Sequence, residues 1–263
     1  MNTISLISML RAEFYKTRRN RGFLLLLSFP LIIIFIAILY LLYHSNEVHT
    51  SPISPWAYYL ANDTLPFIGF FYPIVVALFC YSLCDMEYKN NSIKQLFSLP
   101  ISKAKIYFTK IIFMFIALLT SLLLAYGGFF LAGYLLGHLA PSYGFQDFNY
   151  LVFKQVTKFF IVSGVGFSAI MMIQYFLSLI FKNFIIPVAI GGFGVIFGMI
   201  VKIWDYLDYV PHATAINTFF GMMDDPLAMT LWGKASTINA CYILAFGFLS
   251  FLFFTRRLGK RNR

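Results

Sequence analysis

An all-α polytopic membrane protein is the fold class this sequence predicts, and three observations predict it. The 263 residues are 60% hydrophobic and 20% aromatic but only 11% charged, with a mean hydropathy of +0.78. Long apolar runs recur six times with no charged side chain inside them, and the basic residues gather beside one set of their ends. With 20 basic and 10 acidic residues, the chain has too few charges to clothe a globular surface of its length. That excludes a cytosolic enzyme, a secreted disulfide module and a disordered chain. The net charge of +10 sits beside apolar runs, where the anionic inner leaflet explains it and no basic-aromatic surface is left for nucleic acid.

The charge-free runs are Phe23–Tyr43, Thr64–Cys84, Ile111–Leu136, Phe159–Phe181, Phe184–Val201 and Ala235–Phe254. Each approaches or exceeds the ~18–20 residues that cross a hydrocarbon core as a helix. None has the period-two alternation of a barrel strand. With their flanks they predict six spans over residues 23–43, 64–84, 106–136, 155–181, 184–204 and 235–254, in a single transmembrane domain covering 1–263. The third span is too long to cross without tilting or protruding. Pro30 and Pro73 predict kinks in the first two.

Sixteen of the 20 lysines and arginines fall on one face, in the N-terminal segment, the second connection, the fourth-to-fifth turn at Lys182 and the tail. The other face holds only Lys154, Lys158, Lys202 and Lys234 together with most of the acids. The positive-inside rule then puts both termini in the cytoplasm. Trp56, Trp204 and Trp232 fall at the outer interface, as an aromatic belt would. The first run is too long for a signal-peptide h-region and has no small-residue cleavage site after it, so it reads as an uncleaved anchor.

Outside the spans, residues 1–22 carry Ile7, Leu10 and Phe14 at helical spacing, with arginines on the polar side. They predict an amphipathic helix on the inner surface that ends near Asn20-Arg21-Gly22. In the cytoplasmic connection 85–105, Ile93, Leu96 and Phe97 form a short apolar stripe opposite Lys94 and Gln95. Pro100 stops that helix, and Ser102 is placed to cap the next. The stripe has two possible destinations, lipid headgroups or a groove on a partner protein. Asp85 and Glu87 require a cation, and Lys89, Arg18 and Arg19 are the candidates. On the outer side, Ser54-Pro55 and Asp225-Pro226 read as helix starts. The interrupted stretch 205–234 either tucks short re-entrant helices into the outer leaflet or lies on its surface. Gly133 and Gly137, like Gly194 and Gly198, have the small-xxx-small spacing of close helix packing.

Chemistry is sparse. There is no G-x-x-x-x-G-K-[ST] phosphate loop, H-E-x-x-H or G-x-S-x-G. His44, His49, His138 and His212 are not spaced as metal ligands, and Cys80, Cys84 and Cys241 read as buried thiols within spans. The span interiors lack the charges of a proton-coupled carrier. An intramembrane enzyme has no candidate acid, base or nucleophile, so the pattern is that of a subunit driven from outside itself.

The opening Leu10-Arg-Ala-Glu-Phe-Tyr-Lys-Thr-Arg-Arg-Asn-Arg21 and the connection Glu87-Tyr-Lys-Asn-Asn-Ser-Ile-Lys-Gln-Leu-Phe-Ser-Leu-Pro-Ile-Ser-Lys-Ala-Lys-Ile-Tyr-Phe-Thr-Lys110 resemble those of type-2 ABC exporter permeases. Within them, the resemblance is to the small bacterial permeases of lantibiotic and bacteriocin immunity. It implies an elbow helix containing Ile7, Leu10 and Phe14. It also implies a coupling helix whose Glu87, Tyr88, Asn91, Ile93, Lys94, Leu96 and Phe97 meet a separate ATPase subunit. Two ATPase copies, a second permease of the same or a paralogous chain, membrane lipid and a bacterial plasma membrane are implied as well. ATP and magnesium would sit on the ATPase partner, with no cofactor on this chain. The cargo implied is an amphipathic or peptide substrate. A membrane immunity or anchoring protein that binds a peptide without transporting it is the alternative.

Overall fold

The computed structural model describes residues 5–44, 54–59, 64–89, 100–147, 150–201, 204, 206–224 and 230–257. Its regular elements are helices: α1 (Leu6–Thr17), α2 (Arg21–Tyr43), α3 (Pro55–Tyr58), α4 (Leu65–Tyr88), α5 (Lys103–Leu139), α6 (Tyr150–Ile180), α7 (Ile185–Ile200), α8 (Thr214–Asp224) and α9 (Lys234–Leu252). Short 3-10 turns at Pro141–Tyr143, Leu207–Tyr209 and Pro211–Ala213 join some of them. Among the described residues there is no strand.

Five helices, α2, α4, α5, α6 and the α9 segment through Arg256, are long and apolar enough to cross a bilayer. The fifth of the six predicted spans is shorter than expected. Predicted over 184–204, it forms α7, whose 16 residues rise about 24 Å, less than a hydrocarbon core of about 30 Å. Conversely α5 runs for 37 residues, adding a turn or so at each end to the predicted third span, and α6 begins at Tyr150 rather than at 155.

The helices assemble around α6, which packs against α4, α9 and α8; α2 packs against both α4 and α5, and α7 leans on α4. Phe79, Phe129, Phe159, Phe167, Tyr72 and Leu26 are among the large side chains wholly buried between them. The outward faces are equally apolar, with Phe35, Leu119, Leu123, Phe193 and Leu244 exposed, as helices facing lipid must be. Cys80 and Cys84 are buried thiols, but Cys241 is exposed on the outer face of α9 rather than buried as expected.

Local chemistry sets the helix ends. Ser5 caps α1 and Asn20 caps α2, its side-chain oxygen accepting from the Gly22 and Phe23 amides at 2.9 and 3.1 Å. Helix α1 therefore stops at Thr17, and Asn20 starts the next helix instead of ending this one. Ser54 and Ser102 cap α3 and α5 as expected, while Asp225-Pro226 lies outside the described residues. Helix α2 continues through Pro30, whose missing N–H leaves the Leu26 carbonyl without its helical donor. The Ser121 hydroxyl of α5 supplies that donor at 2.5 Å, so the proline defect becomes a bond between two helices.

The glycine pairs permit close approach, but not between two spanning helices. The Trp56 ring of α3 lies against Gly133, and a Cβ on Gly137 would meet the Phe145 carbonyl oxygen at 3.2 Å. A Cβ on Gly194 would meet the His212 ring at 2.8 Å, and one on Gly198 would meet the Ala213 amide nitrogen at 2.9 Å. In each case the glycines seat an inter-helix connection. Trp56, expected in the outer aromatic belt, is buried and donates from its indole nitrogen to Phe145 O at 3.1 Å; Trp204 and Trp232 are exposed. The segment before the last helix is packed among α4, α6 and α7, with His212, Ala213, Ala215, Ile216 and Phe219 buried. Asn239 of α9 donates to the Thr214 hydroxyl at 2.8 Å and ties it in.

Candidate functional site

The basic residues mark one end of the bundle, and there the connection 90–99 leaves the described structure. Its two stems are the last turn of α4 and the first turns of α5. At this junction four charged side chains from three elements converge. Glu13 and Lys16 come from α1, Glu87 from the end of α4 and Lys110 from the second turn of α5. Lys16 Nζ lies 2.8 Å from Glu87 Oε1, Lys110 Nζ lies 3.0 Å from Glu13 Oε1, and Lys110 also bonds directly to Glu87. Lys16 and Glu13 approach within 3.9 Å on their own helix.

Two carboxylates and two ammonium groups give the cluster no net formal charge. That balance lets Glu87 and Lys110 stay ionised at side-chain exposures of 5% and 9%, where an unpaired charge would be expelled. Lys16 is a third exposed, so its contacts are the more weakly held. Around the cluster, Tyr88 donates to Leu179 O at 2.7 Å, and Tyr107 donates to Gly247 O at 2.7 Å. Lys89 pairs with Asp85 at 2.5 Å. The ends of α4, α5, α6 and α9 are thereby linked beside α1.

Several expectations change here. Lys89 meets Asp85, as one of the candidates was expected to; Glu87 takes Lys16 and Lys110 instead of Lys89, Arg18 or Arg19. The end of α1 explains this: Glu13 and Lys16, three apart, sit on one side of the helix against the bundle, whereas Arg18 and Arg19 follow its last residue, Thr17, and are exposed. Glu87 is therefore an internal strut in this structure and not a surface contact. Tyr88 is likewise turned onto α6. Asn91, Ile93, Lys94, Leu96 and Phe97 lie outside the described residues. In α1, Ile7 is 65% exposed, Phe14 is half exposed with its ring edge-on to Phe23 of α2, and Leu10 packs on the core with Met9. Apolar residues on the outer side of a helix whose inner side carries Glu13 are what a helix resting in lipid headgroups needs. The buried charges Glu87 and Lys110 lie just outside the charge-free runs Thr64–Cys84 and Ile111–Leu136, at the ends of α4 and α5 nearest the connection.

Glu13, Lys16 and Lys110 were not singled out from the sequence as a site. A signal for them exists: Glu13 is the lone acid in residues 1–46, and Lys110 is a cation set inside an apolar helix. Such charges call for partners.

Among the described residues, no group of three or more histidine, cysteine or carboxylate side chains is placed to hold a metal ion. The cluster contains no free nucleophile, and every one of its charges is committed to another. Its chemistry is mechanical, since it fixes the stems of one connection to each other and to the N-terminal helix.

A helical, multi-pass membrane protein with a charge-locked junction at its basic end is the class this architecture defines. The family model described as ABC-2 family transporter protein matches residues 9–198, and the chain belongs to that family. It is a membrane permease of an ABC transporter, a kind of subunit that works with an ABC ATPase. No curated protein and no solved structure matches it.

Proposed function

We propose that this chain is the permease subunit of an ABC exporter in the bacterial plasma membrane, with both termini cytoplasmic and energy supplied by two copies of a separate ATPase. In this reading the connection 85–105 is the coupling segment. Lys94, Leu96 and Phe97 meet the ATPase, and α1 is the elbow helix. The observation that carries the reading is the buried Glu13–Lys16–Glu87–Lys110 cluster. A force applied to the connection between α4 and α5 reaches two long helices and α1 at once, because the stems are bonded to each other and to α1. Movement of a rigid, charge-paired junction is a physical route from ATP-driven closure to helix tilt.

A second permease, the same chain or a paralogue, would complete the transport path, and α7 with its 16 residues would serve as a sixth, short span. The phenylalanine-rich core suits an amphipathic or peptide cargo of the kind handled in lantibiotic and bacteriocin immunity. The test is co-expression with the ATPase and any second permease encoded beside it, followed by purification through a tag on this chain and an assay of ATP hydrolysis. An active ATPase that co-purifies, and whose coupling is lost on Phe97→Ala, supports the proposal. A chain that purifies alone and stable, or resistance that persists with a catalytically dead ATPase, would give precedence to a non-transporting peptide-binding protein.

A further inference from the structure

Between α5, α6 and α9 runs an open groove of about 990 Å³ on the lipid-facing side of the bundle; on α5 it begins at Ile112, two residues beyond Lys110, and runs away from the charge cluster. Along α5 it extends from Ile112 to Tyr126, about 21 Å at helical rise. Its walls are leucine, isoleucine and phenylalanine. The hydroxyls of Tyr126 and Thr157, 3.1 Å apart, and the Trp232 ring mark its end farthest from the cluster. On α6 the lining residues Thr157, Ile161, Gly164 and Ser168 follow one helical stripe. Lys154 stands three residues before Thr157 and seven before Ile161, so it continues that stripe by one more turn. Lys158 stands three before Ile161 and seven before Val165, on the stripe's flank.

The depth of these lysines follows from helix geometry. Measured from Ile180, the end of α6 beside Lys182, Lys158 is about 33 Å along the axis and Lys154 about 39 Å. With Ile180 set at the near edge of a hydrocarbon core about 30 Å thick, the backbone of both lysines falls beyond the far edge, within side-chain reach of the far leaflet's phosphates. Trp232 at the same end of the groove occupies the interfacial position typical of indole rings. Among the described residues neither lysine pairs with a carboxylate; Lys154 lies over the Tyr150 ring at 5.3 Å.

We propose that this groove binds an anionic glycerophospholipid of the leaflet opposite the charge cluster, its acyl chains along α5, α6 and α9 and its phosphate held by Lys154 and Lys158. An apolar channel beneath a pair of uncompensated cations matches an amphiphile with a negative head. A second copy of this chain, seated here about a two-fold axis, would instead bring two further lysines to the same level. The site requires only that the helices cross a bilayer and does not depend on the identity of the ATPase or the cargo.

The test places the full-length chain, with whatever subunits co-purify, in phosphatidylcholine vesicles that contain a minor share of phosphatidylglycerol carrying a photoactivatable acyl chain. Labelled peptides are then mapped. The expected labels fall on groove residues of α5, α6 and α9 and are competed by unlabelled phosphatidylglycerol but not by added phosphatidylcholine. They drop by about tenfold or more in Lys154→Gln/Lys158→Gln, from about 1 kcal/mol for each lysine near a charged membrane surface. The Lys154→Arg/Lys158→Arg variant, which keeps both charges, is expected to retain them, separating charge recognition from misfolding. Equal competition by phosphatidylcholine, or unchanged labelling in the glutamine variant, would reduce the groove to ordinary annular lipid. Disulfide capture between copies at Ile161→Cys without groove labelling would give the surface to a second copy. Either result overturns the proposal.

Discussion

At the scale of single residues, the structure turns on charges and polar atoms that the apolar bundle can hold only in pairs. Removing Glu87 as Glu87→Gln leaves Lys16 and Lys110 sharing Glu13, a net positive charge in a buried site. The expected cost is about 3 kcal/mol, with the cluster's partial exposure at Lys16 keeping it at the low end for broken buried pairs. Lys110→Gln leaves the opposite imbalance. The double variant restores neutrality through Glu13 and Lys16, so its loss should be smaller than the sum of the two. Thermal unfolding of the four proteins in one detergent measures that coupling, and strict additivity would show that Glu87 and Lys110 do not act as a pair. His212 is a buried polar group held without such a partner. Burial pushes its imidazole down to about 4, and its Nε2 has no hydrogen-bond partner. The unfolded chain takes up the proton near pH 6.5 and the folded one only near 4, so stability should decline as pH falls through that window. It should level off below, with a total loss on the order of 3 kcal/mol. His212→Phe should flatten the decline, as read from melting temperatures between neutral and mildly acidic buffer.

At the scale of elements, two devices hold helices that composition alone would leave interchangeable. The Ser121 hydroxyl answers the carbonyl freed by Pro30, so Ser121→Ala should loosen α2 from α5 by about 1 kcal/mol. Pro30→Ala in the same background should recover part of it, because Leu26 O regains its helical donor. Faster exchange of backbone amides near Leu26 in Ser121→Ala, and its reversal in the double variant, is the measurement. Gly198 faces backbone rather than a flexible side chain, with a Cβ contact of 2.9 Å to the Ala213 nitrogen. Gly198→Leu should therefore displace the Pro211–Ala213 turn and lower stability by about 2 kcal/mol or more, whereas substitution at Gly192, which has open space around it, should be nearly silent.

At the scale of the whole molecule, the expected behaviour is that of a driven subunit. In the assembled transporter, Glu87→Gln should leave membrane insertion and ATPase association intact while weakening transmission from the connection to α1 and α5. Phe97→Ala should weaken association itself. Cargo-stimulated ATP hydrolysis and pull-down of the ATPase separate the two, and parallel losses in both assays for both variants would remove the distinction between strut and docking surface. The two ends of the molecule then divide the work. The basic end is stiffened by ion pairs, whereas the apolar groove opens along α5 and α6 from just beyond Lys110 to Tyr126 and Thr157.

The sequence by itself determined the class of protein, because hydropathy over about 20 residues is a one-dimensional property that a bilayer reads segment by segment. It likewise determined the helix starts at Ser54 and Ser102, since a cap and the amide it receives lie within three residues of each other. It also announced that Asp85 and Glu87 need cations. Asp85 is answered locally, by Lys89 one turn on, but the cations that answer Glu87 were decided only by tertiary structure. Lys16 lies 71 residues from Glu87 and Lys110 lies 23 away, and no local rule ranks them above Arg18 or Arg19 until α1 is laid against α5 with Glu13 facing inward. The glycines show the same division. Their spacing signalled close approach, but that the approaching groups are Trp56, Phe145 and the His212–Ala213 turn rather than another span depends on where the connections between helices fold back. In lipid, apolar surface is equally content on either side of a helix, so hydrophobicity places the helices in the membrane. Register, ion pairing and polar satisfaction, all long-range, then choose which faces meet.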